Sequence, residues 1–296
     1  MKKNLFLLAV LLGTFVCAGA QSSNFEGEIT SDVNSVQKMK SQVLSNNILV
    51  KMILKKVMKK VENSGFYTGD YTTKVITKGN KTLTYLPYNN SYMLVEKIDG
   101  KMKMTTYYPY IKKGYYEVTD MSENQKKLEE MRKGTVEKTG RTMEILGRQC
   151  EIYKLKYEVT TDSAGGKSTT IMNNEFAMSN DPTLPDADQE YIPGVKGVPL
   201  KFINNTVSQM SVEKMLNTDF LMYIATEVKE IKPRKVEDAE LAVPADIKLI
   251  DKSKDEKGFA KIIADNQKYL VKNGLWNPKS PDDVKIYDNL EEDWDY

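Results

Sequence analysis

Closely spaced turn signals between short alternating segments constrain the fold of this chain more than any other feature. Lys78-Gly79-Asn80, Asp99-Gly100 and Lys113-Gly114 interrupt a region rich in Tyr, Thr, Val and Leu. Asp-Gly between alternating runs favours a two-residue hairpin, because both turn positions need positive φ. Strands joined by such short turns form an antiparallel meander. The strands predicted in this region cover residues 71–76, 83–86, 92–97, 101–108 and 115–119.

The second half of the chain repeats this pattern. Residues 138–145 are predicted to pair with residues 150–160 across Gly147, and further strands are predicted over 168–178, 198–208 and 220–231. Prolines and glycines alternate with acidic residues over 181–197, which predicts a loop there. We therefore expect an α+β fold built on a curved antiparallel sheet, an open half-barrel of about nine to eleven strands.

Two longer helices and one short helix are predicted to accompany the sheet. Ser31 and Asp32 can cap a long N-terminal helix over 32–62. Its apolar stripe, at three- and four-residue steps, consists of Val36, Met39, Val43, Val50, Ile53, Leu54, Val57, Met58 and Val61. Ser253 with Glu256 resembles a capping box for a C-terminal helix over 254–272. Ser122 with Gln125 predicts a short helix that ends at Gly134.

The lysines of the N-terminal helix leave two interpretations open. Lys51, Lys55, Lys56, Lys59 and Lys60 fall on the side opposite the apolar stripe. A basic amphipathic helix can dock on an anionic membrane surface. Alternatively, the helix covers one face of the sheet and keeps its lysines in water. The second interpretation is favoured, because the stripe has no Trp or Phe for insertion into a membrane interface, and it predicts that Ile53 is buried.

The first twenty residues have the pattern of a secretory signal peptide. Lys2 and Lys3 precede an apolar run over 5–16, and Ala18-Gly19-Ala20 gives a small-x-small cleavage site. The apolar run is too short to span a bilayer, which takes roughly 20 residues, so no transmembrane segment is predicted. We expect export to the periplasm or secretion. The alternative is an outer-membrane lipid anchor through Cys17, for which the preceding Val16 is too bulky.

This pattern divides the chain into three predicted parts: a signal peptide over 1–20, a curved-sheet domain over 21–250, and a C-terminal helix with an acidic tail over 251–296. Without Lys2 and Lys3, the basic residues equal the 41 acidic residues in number. A chain without net positive charge is not expected to bind nucleic acid.

The residue types that are missing exclude several kinds of chemistry. The chain has no histidine, which excludes Ser-His-Asp and Cys-His catalysis and histidine-ligated zinc. Cys150 is the only cysteine left after cleavage, so it is predicted to be a buried, unpaired thiol. No cofactor, metal site or catalytic residue is predicted. Carboxylate or Ser-Lys chemistry remains open to an enzyme.

Three further groups of residues have two interpretations each. Dense tyrosines between residues 67 and 116 could form a sugar- or peptide-binding surface, but tyrosine also suits half-buried strands. Asp162-Ser163-Ala164 matches an O-glycosylation acceptor of some Gram-negative secretion systems, which makes Ser163 a candidate site. A third group could gather around calcium, but its spacing differs from the helix–loop–helix calcium motif and favours a solvated loop. That group is Asp181, Asp186, Asp188 and Glu190.

Short motifs over 147–201 carry a family resemblance. Gly147 to Tyr153 matches a G-x-x-C-x-x-Y strand opening, and Gly197-Val198-Pro199-Leu200-Lys201 matches a later Gly-x-Pro-Leu-Lys strand. Glu175 to Met178, the acidic loop over 181–193 and the opening Phe25 to Ile29 are also similar. In these motifs the chain resembles an uncharacterised family of secreted Gram-negative proteins, which is similar to the periplasmic lipoprotein carrier and its outer-membrane receptor. That resemblance implies an open half-barrel wrapped over helices around an apolar cavity, and it supplies no catalytic residue.

These observations lead to one leading functional prediction and two alternatives. The leading prediction is a secreted, non-enzymatic protein that binds a lipid, acyl chain or lipoprotein in the concavity of the sheet. The predicted cavity-lining residues are Val75, Leu83, Leu94, Met104 and Leu155. The first alternative is a cell-envelope interaction or structural protein that acts through its surface, without a small ligand, and an envelope protein is one candidate partner. The second alternative is a hydrolase that uses carboxylates or a Ser-Lys pair. A concavity filled by side chains would favour the first alternative.

Overall fold

The computed structural model describes residues 25–62, 68–120, 134–163, 166–184, 187, 190–212, 215–276 and 278. The predicted signal peptide, the predicted short helix after Ser122 and most of the acidic tail lie outside these residues.

Twelve of the described strands form one large curved sheet that does not close on itself. Two more form a small ribbon. In chain order the strands are β1 (Gly27–Val43), β2 (Gly69–Lys78), β3 (Lys81–Leu86), β4 (Ser91–Ile98), β5 (Lys101–Tyr108), β6 (Lys113–Asp120), β7 (Thr135–Ile145), β8 (Arg148–Ser163), β9 (Gly166–Ser179), β10 (Glu190–Ile192), β11 (Val195–Lys196), β12 (Val198–Val212), β13 (Leu216–Pro233) and β14 (Lys248–Asp251). The predicted curved sheet is thus confirmed, with more strands than expected.

The large sheet consists of two meanders that meet at its centre. Its strand order is β14-β6-β5-β4-β3-β2-β1-β13-β12-β9-β8-β7. Strands β1 and β13 join the two meanders along their whole length, from the pair Gly27 and Pro233 to the pair Val43 and Leu216. Every pair in this sheet is antiparallel except β14 with β6. The ribbon of β10 and β11 lies within the predicted loop over 181–197.

The predicted N-terminal helix over 32–62 is wrong for its first part, because Gly27–Val43 is strand β1. This strand has a hydrogen-bonded neighbour on each side and is buried on both faces, so four consecutive residues from Val33 to Val36 are buried. Burial on both faces removes the alternation that identifies a strand in a sequence. The observed helix, α1 (Ile48–Glu62), is shorter, and Asn47 caps it.

The predicted C-terminal helix is confirmed as α2 (Glu256–Lys272). Its N-cap is Asp255, whose side chain accepts a hydrogen bond from the Gly258 N–H, whereas the predicted cap Ser253 donates its hydroxyl proton to Asp251. Ile262 anchors α2 on the sheet in a cluster with two tyrosines of β5 and β6. Helix α2 therefore packs against the sheet as predicted.

Candidate functional site

The predicted cavity-lining residues are all buried, but they do not share one face of the sheet. Leu83 lies directly opposite Leu94 in the β3–β4 ladder, so both side chains point to the same face. Met104 lies opposite Val95, the neighbour of Leu94, and therefore points to the other face. By the same register Val75 lies on the Met104 face. A single cavity could not be lined by both groups.

The face that carries Leu83 and Leu94 is covered by the chain itself. Residues 234–249, which we call the strap, cross this face after β13. Val236 and Leu241 of the strap belong to one buried cluster with Leu83, Leu94 and Tyr107. Val236 and Leu241 are almost completely buried. This part of the predicted concavity is therefore filled by side chains of the protein.

Ion pairs and hydrogen bonds fasten the strap to the sheet. The Arg234 guanidinium donates to Glu240 of the strap at 2.8 Å and to Glu28 of β1 at 3.3 Å. The Lys78 ammonium of β2 donates to the carbonyl of Val236 at 2.9 Å. One arginine thus bridges the strap and the central strand of the sheet.

These contacts keep the carboxylates of the strap region ionised. The hydrogen bond from Arg234 lowers the pKa of Glu240 from 4.5 to about 2. The Lys74 ammonium, and after it Arg234, lowers the pKa of Glu28. Carboxylates held in the charged form by bound cations are poor proton donors at neutral pH. The arrangement fits a fastening role and does not favour acid–base catalysis.

The face that carries Val75 and Met104 mixes apolar and hydroxyl side chains. The hydroxyls of Thr77 and Thr82 hydrogen bond to each other at 2.7 Å. The Ser31 hydroxyl is completely buried and has no hydrogen-bond partner among the described residues. A buried hydroxyl without a partner costs free energy.

Leu155 lies on the same face, towards the other end of the sheet. Beside it, the side-chain amide of Asn204 donates to Asn174 at 2.8 Å, and the Thr206 hydroxyl donates to Asn204 at 2.9 Å. This polar row is buried and internally satisfied, which rigidifies the sheet. The buried apolar residues clustered with Leu155 are Phe176, Met178, Ile192 and Phe202.

Cys150 is buried and unpaired, as predicted. It packs in one cluster with Ile152, which lies two residues along β8. Burial raises the pKa of the Cys150 thiol, which disfavours the nucleophilic thiolate.

Two of the four acidic residues considered as calcium ligands, Asp181 and Glu190, stabilise the loop in which they lie. Asp181 accepts a hydrogen bond from Arg148 at 2.7 Å and another from the Thr183 hydroxyl, which is the main cause of its lowered pKa. Glu190 accepts from the N–H of Gly194. Asp186 and Asp188 lie outside the described residues. Within the described part of the chain, no three His, Cys, Asp or Glu side chains are grouped closely enough to hold a metal ion.

Ser163 lies at the end of β8, opposite Gly166 in the β8–β9 hairpin. Its O-glycosylation stays a prediction.

The tyrosines mainly pack against one another. Tyr85, Tyr92 and Tyr107 lie side by side on three neighbouring strands, and the rings of Tyr92 and Tyr107 stack at 5.3 Å. Burial raises the pKa of Tyr107 to about 12, and that of Tyr88 likewise. Rings buried in this way contribute to the core and are not presented to a sugar or peptide. The structure therefore favours the structural interpretation of these tyrosines.

The sequence interpretation missed an exposed apolar surface at one end of the sheet. The first two turns of α1 carry four side chains that are strongly exposed: Ile48 at 75%, Leu49 at 70%, Met52 at 64% and Ile53 at 61%. Spacings of one, four and five residues place them on one side of the helix. The prediction that Ile53 is buried against the sheet is wrong, because Val50 and Leu54 occupy the half-buried side instead.

Leu44 and Met215 extend this surface at the end of the β1–β13 ladder, where the Leu44 N–H donates to the Met215 carbonyl at 2.9 Å. Both side chains are also exposed. Three exposed lysines, Lys51, Lys55 and Lys56, accompany the apolar residues on α1. We call this surface, residues 44, 48–56 and 215, the α1 end. The lysine pattern points to this part of the helix, but the predicted stripe placed Ile53 against the sheet and did not include Leu49 or Met52.

No helix in the described part of the chain is long and apolar enough to cross a membrane. No protein-family model, curated protein sequence or solved structure matches the chain.

Proposed function

We propose that this chain is a non-enzymatic binding protein of the cell envelope that acts through its surface, and that the α1 end is the part that binds. Export to the envelope is proposed from the signal-peptide pattern of residues 1–20. The proposal takes up the first alternative from the sequence, a surface-acting envelope protein.

The distribution of apolar side chains supports this proposal. Leu83 and Leu94, expected to face a ligand, lie beneath the strap. In contrast, Ile53, expected on the packed stripe of the N-terminal helix, is 61% exposed, and the neighbouring Leu49 and Met52 are more exposed still. Contiguous apolar side chains left in water on a folded protein mark an interaction site.

The test measures binding to envelope membranes isolated from the protein's own source. The mature protein is expected to sediment with these membranes, and the double variant Leu49→Ser, Met52→Ser is expected to remain in the supernatant. Both substitutions are at exposed positions, so the melting temperature should stay close to that of the unmodified chain.

The matched control is Val271→Ser with Leu275→Ser, which removes two exposed apolar side chains at the end of α2. This variant should sediment like the unmodified protein. Equal sedimentation of the α1 variant and the control would show that the α1 end is not the binding surface, and the proposal would then fail.

A second candidate function is binding of an amphiphile on the face that carries Val75, Met104 and Leu155. The specific observation in its favour is the completely buried Ser31 hydroxyl that has no partner among the described residues. Native mass spectrometry of protein purified from its own envelope, together with titration of a fluorescent fatty acid, tests this candidate. A co-purifying lipid and saturable probe binding that survives Leu49→Ser, Met52→Ser would favour it over the surface function.

A further inference from the structure

We propose that the partner of the α1 end is an anionic lipid surface, in which the first two turns of α1 lie within the headgroup layer. This inference rests on the proposed function and names its partner. It requires that the apolar side chains reach a lipid layer together, that the charges nearby suit anionic headgroups, and that other occupants fit less well.

The geometry allows the apolar side chains to enter one layer together. Ile48 and Met52 are one turn apart, and so are Leu49 and Ile53, so the four side chains form a compact patch on α1. Their exposure leaves them available without any rearrangement of the core. Leu44 and Met215 project from the adjoining strand ends. Interfacial helices bury such a face roughly 5–10 Å deep, at the boundary of headgroups and acyl chains.

The charges around the patch suit an anionic surface. Lys55 and Lys56 lie three and four residues beyond Met52, so their side chains flank the apolar patch. Long lysine side chains can lie along an apolar surface while the ammonium stays in water. Helix α1 has no acidic residue in its first turn, and Glu62 at its end is its only acid. The helix dipole adds partial positive charge at the start of α1, on the same side as the patch.

The same lysines argue against a second copy of this chain as the occupant. A symmetric dimer across the α1 end would bring Lys51, Lys55 and Lys56 of one copy against those of the other. Like charges within a buried interface are costly. A bilayer with anionic headgroups satisfies the lysines and the apolar side chains at the same time.

The experiment measures binding of the mature protein to vesicles of two compositions. One contains phosphatidylglycerol with phosphatidylcholine, and the other contains phosphatidylcholine alone. Flotation should recover the protein with the anionic vesicles and leave it behind with the neutral vesicles. Binding should weaken as salt is raised, because headgroup charges are screened.

Two variants separate the contributions of charge and apolar contact. Lys51→Glu with Lys55→Glu and Lys56→Glu should abolish flotation, since each lysine near an anionic membrane is worth roughly fivefold in binding. Leu49→Ser with Met52→Ser should also abolish it. The matched charge control is Lys257→Glu with Lys261→Glu and Lys268→Glu on exposed positions of α2, which changes the net charge equally. The control should float like the unmodified protein.

The results distinguish failure of this inference from failure of the proposed function. Equal binding to both vesicle types, or equal loss in the α2 control, would overturn the anionic lipid as the partner. Absence of vesicle binding, combined with envelope binding that protease treatment of the membranes removes, would overturn the lipid partner and leave the surface function standing with a protein partner. Absence of binding to both vesicles and envelopes would overturn both.

Discussion

At the scale of single residues, side chains of the same type differ widely in their exposed fraction. Leu94 and Leu49 are both leucines within amphipathic patterns, but Leu94 is 2% exposed and Leu49 is 70% exposed. Leu94 lies between the sheet and the strap, so its methyl groups are surrounded by other side chains. Leu94 should therefore contribute to the stability of the fold and not to binding, and Leu49 should contribute to binding and not to stability.

We predict that Leu94→Ala lowers the free energy of unfolding by about 2–5 kcal/mol, because it leaves a cavity beneath the strap. Leu49→Ala is its matched control and should change the free energy of unfolding by less than about 0.5 kcal/mol. Urea unfolding followed by circular dichroism measures both. A small effect of Leu94→Ala would mean that the strap does not cover this face tightly.

At the scale of elements, the strap is attached to the sheet in part through ion pairs of Arg234 with Glu240 and Glu28. Glu240 has a pKa of about 2 in the folded protein and an ordinary value of 4.5. A lowered folded-state pKa stabilises the fold above the unfolded-state value and loses this contribution as the pH falls through the folded-state value. The bond between Glu240 and Arg234 should therefore weaken between pH 4.5 and pH 2.

We predict that Glu240→Gln lowers the melting temperature at neutral pH. The difference from the unmodified protein should shrink below about pH 4.5 and disappear near pH 2. Thermal unfolding at a series of pH values measures this. The control is Glu230→Gln, which removes an exposed pair with Lys232 and should have little effect at any pH. A difference that stays constant with pH would show that the strap is not held by the ionised Glu240.

The elements that could be predicted from the sequence are those set by local chemistry. The turn at Asp99-Gly100 and the start of β8 after Gly147 could be predicted, because each contains a glycine and glycine favours positive φ. Both glycines have positive φ in the structure. Helix α2 was predicted because its apolar residues are periodic and a polar cap precedes it. Most of strand β1, from residue 32 onward, was assigned to a helix, because burial on both faces hides its alternation. Strand β14 was missed because its pairing with β6 depends on residues more than 130 positions apart.

The candidate site was less predictable than the fold for a related reason. The five proposed cavity-lining residues are buried, but their distribution over two faces depends on strand register, which the sequence does not specify. The covering of Leu83 and Leu94 depends on the path of the strap, and from the sequence alone residues 232–253 are predicted only as an extended connector. The exposure of Ile53 follows from where α1 begins, at Ile48 after β1.

At the scale of the whole molecule, the β1–β13 ladder makes one cooperative unit of the two meanders. Val36 of β1 is completely buried opposite Tyr223 of β13, in a cluster with Ile203 of β12. A side chain at this junction supports strands on both sides of the sheet. A destabilising substitution at this junction should therefore destabilise the outer strands of both meanders equally.

We predict that Val36→Ala destabilises the protein by about 2 kcal/mol. Amide hydrogen exchange in β4 and in β8 should accelerate by the same factor, roughly 30-fold, if both report global unfolding. Mass spectrometry of peptic fragments measures this. Val118→Ala, at an exposed position of β6, should leave both rates unchanged. Acceleration confined to β4 would show that the meanders open independently.

The same ladder determines when the protein can finish folding. Strand β1 is synthesised before its partner β13, which follows about two hundred residues later along the chain. Contacts between such distant segments form slowly, because closing a long loop costs conformational entropy before the contacts can stabilise the fold. Until β13 is available, one edge of β1 is unpaired and the central ladder cannot form. Under the export proposed from residues 1–20, the newly made chain is expected to stay unfolded while it is threaded through the export channel and to complete its sheet only after β13 has crossed.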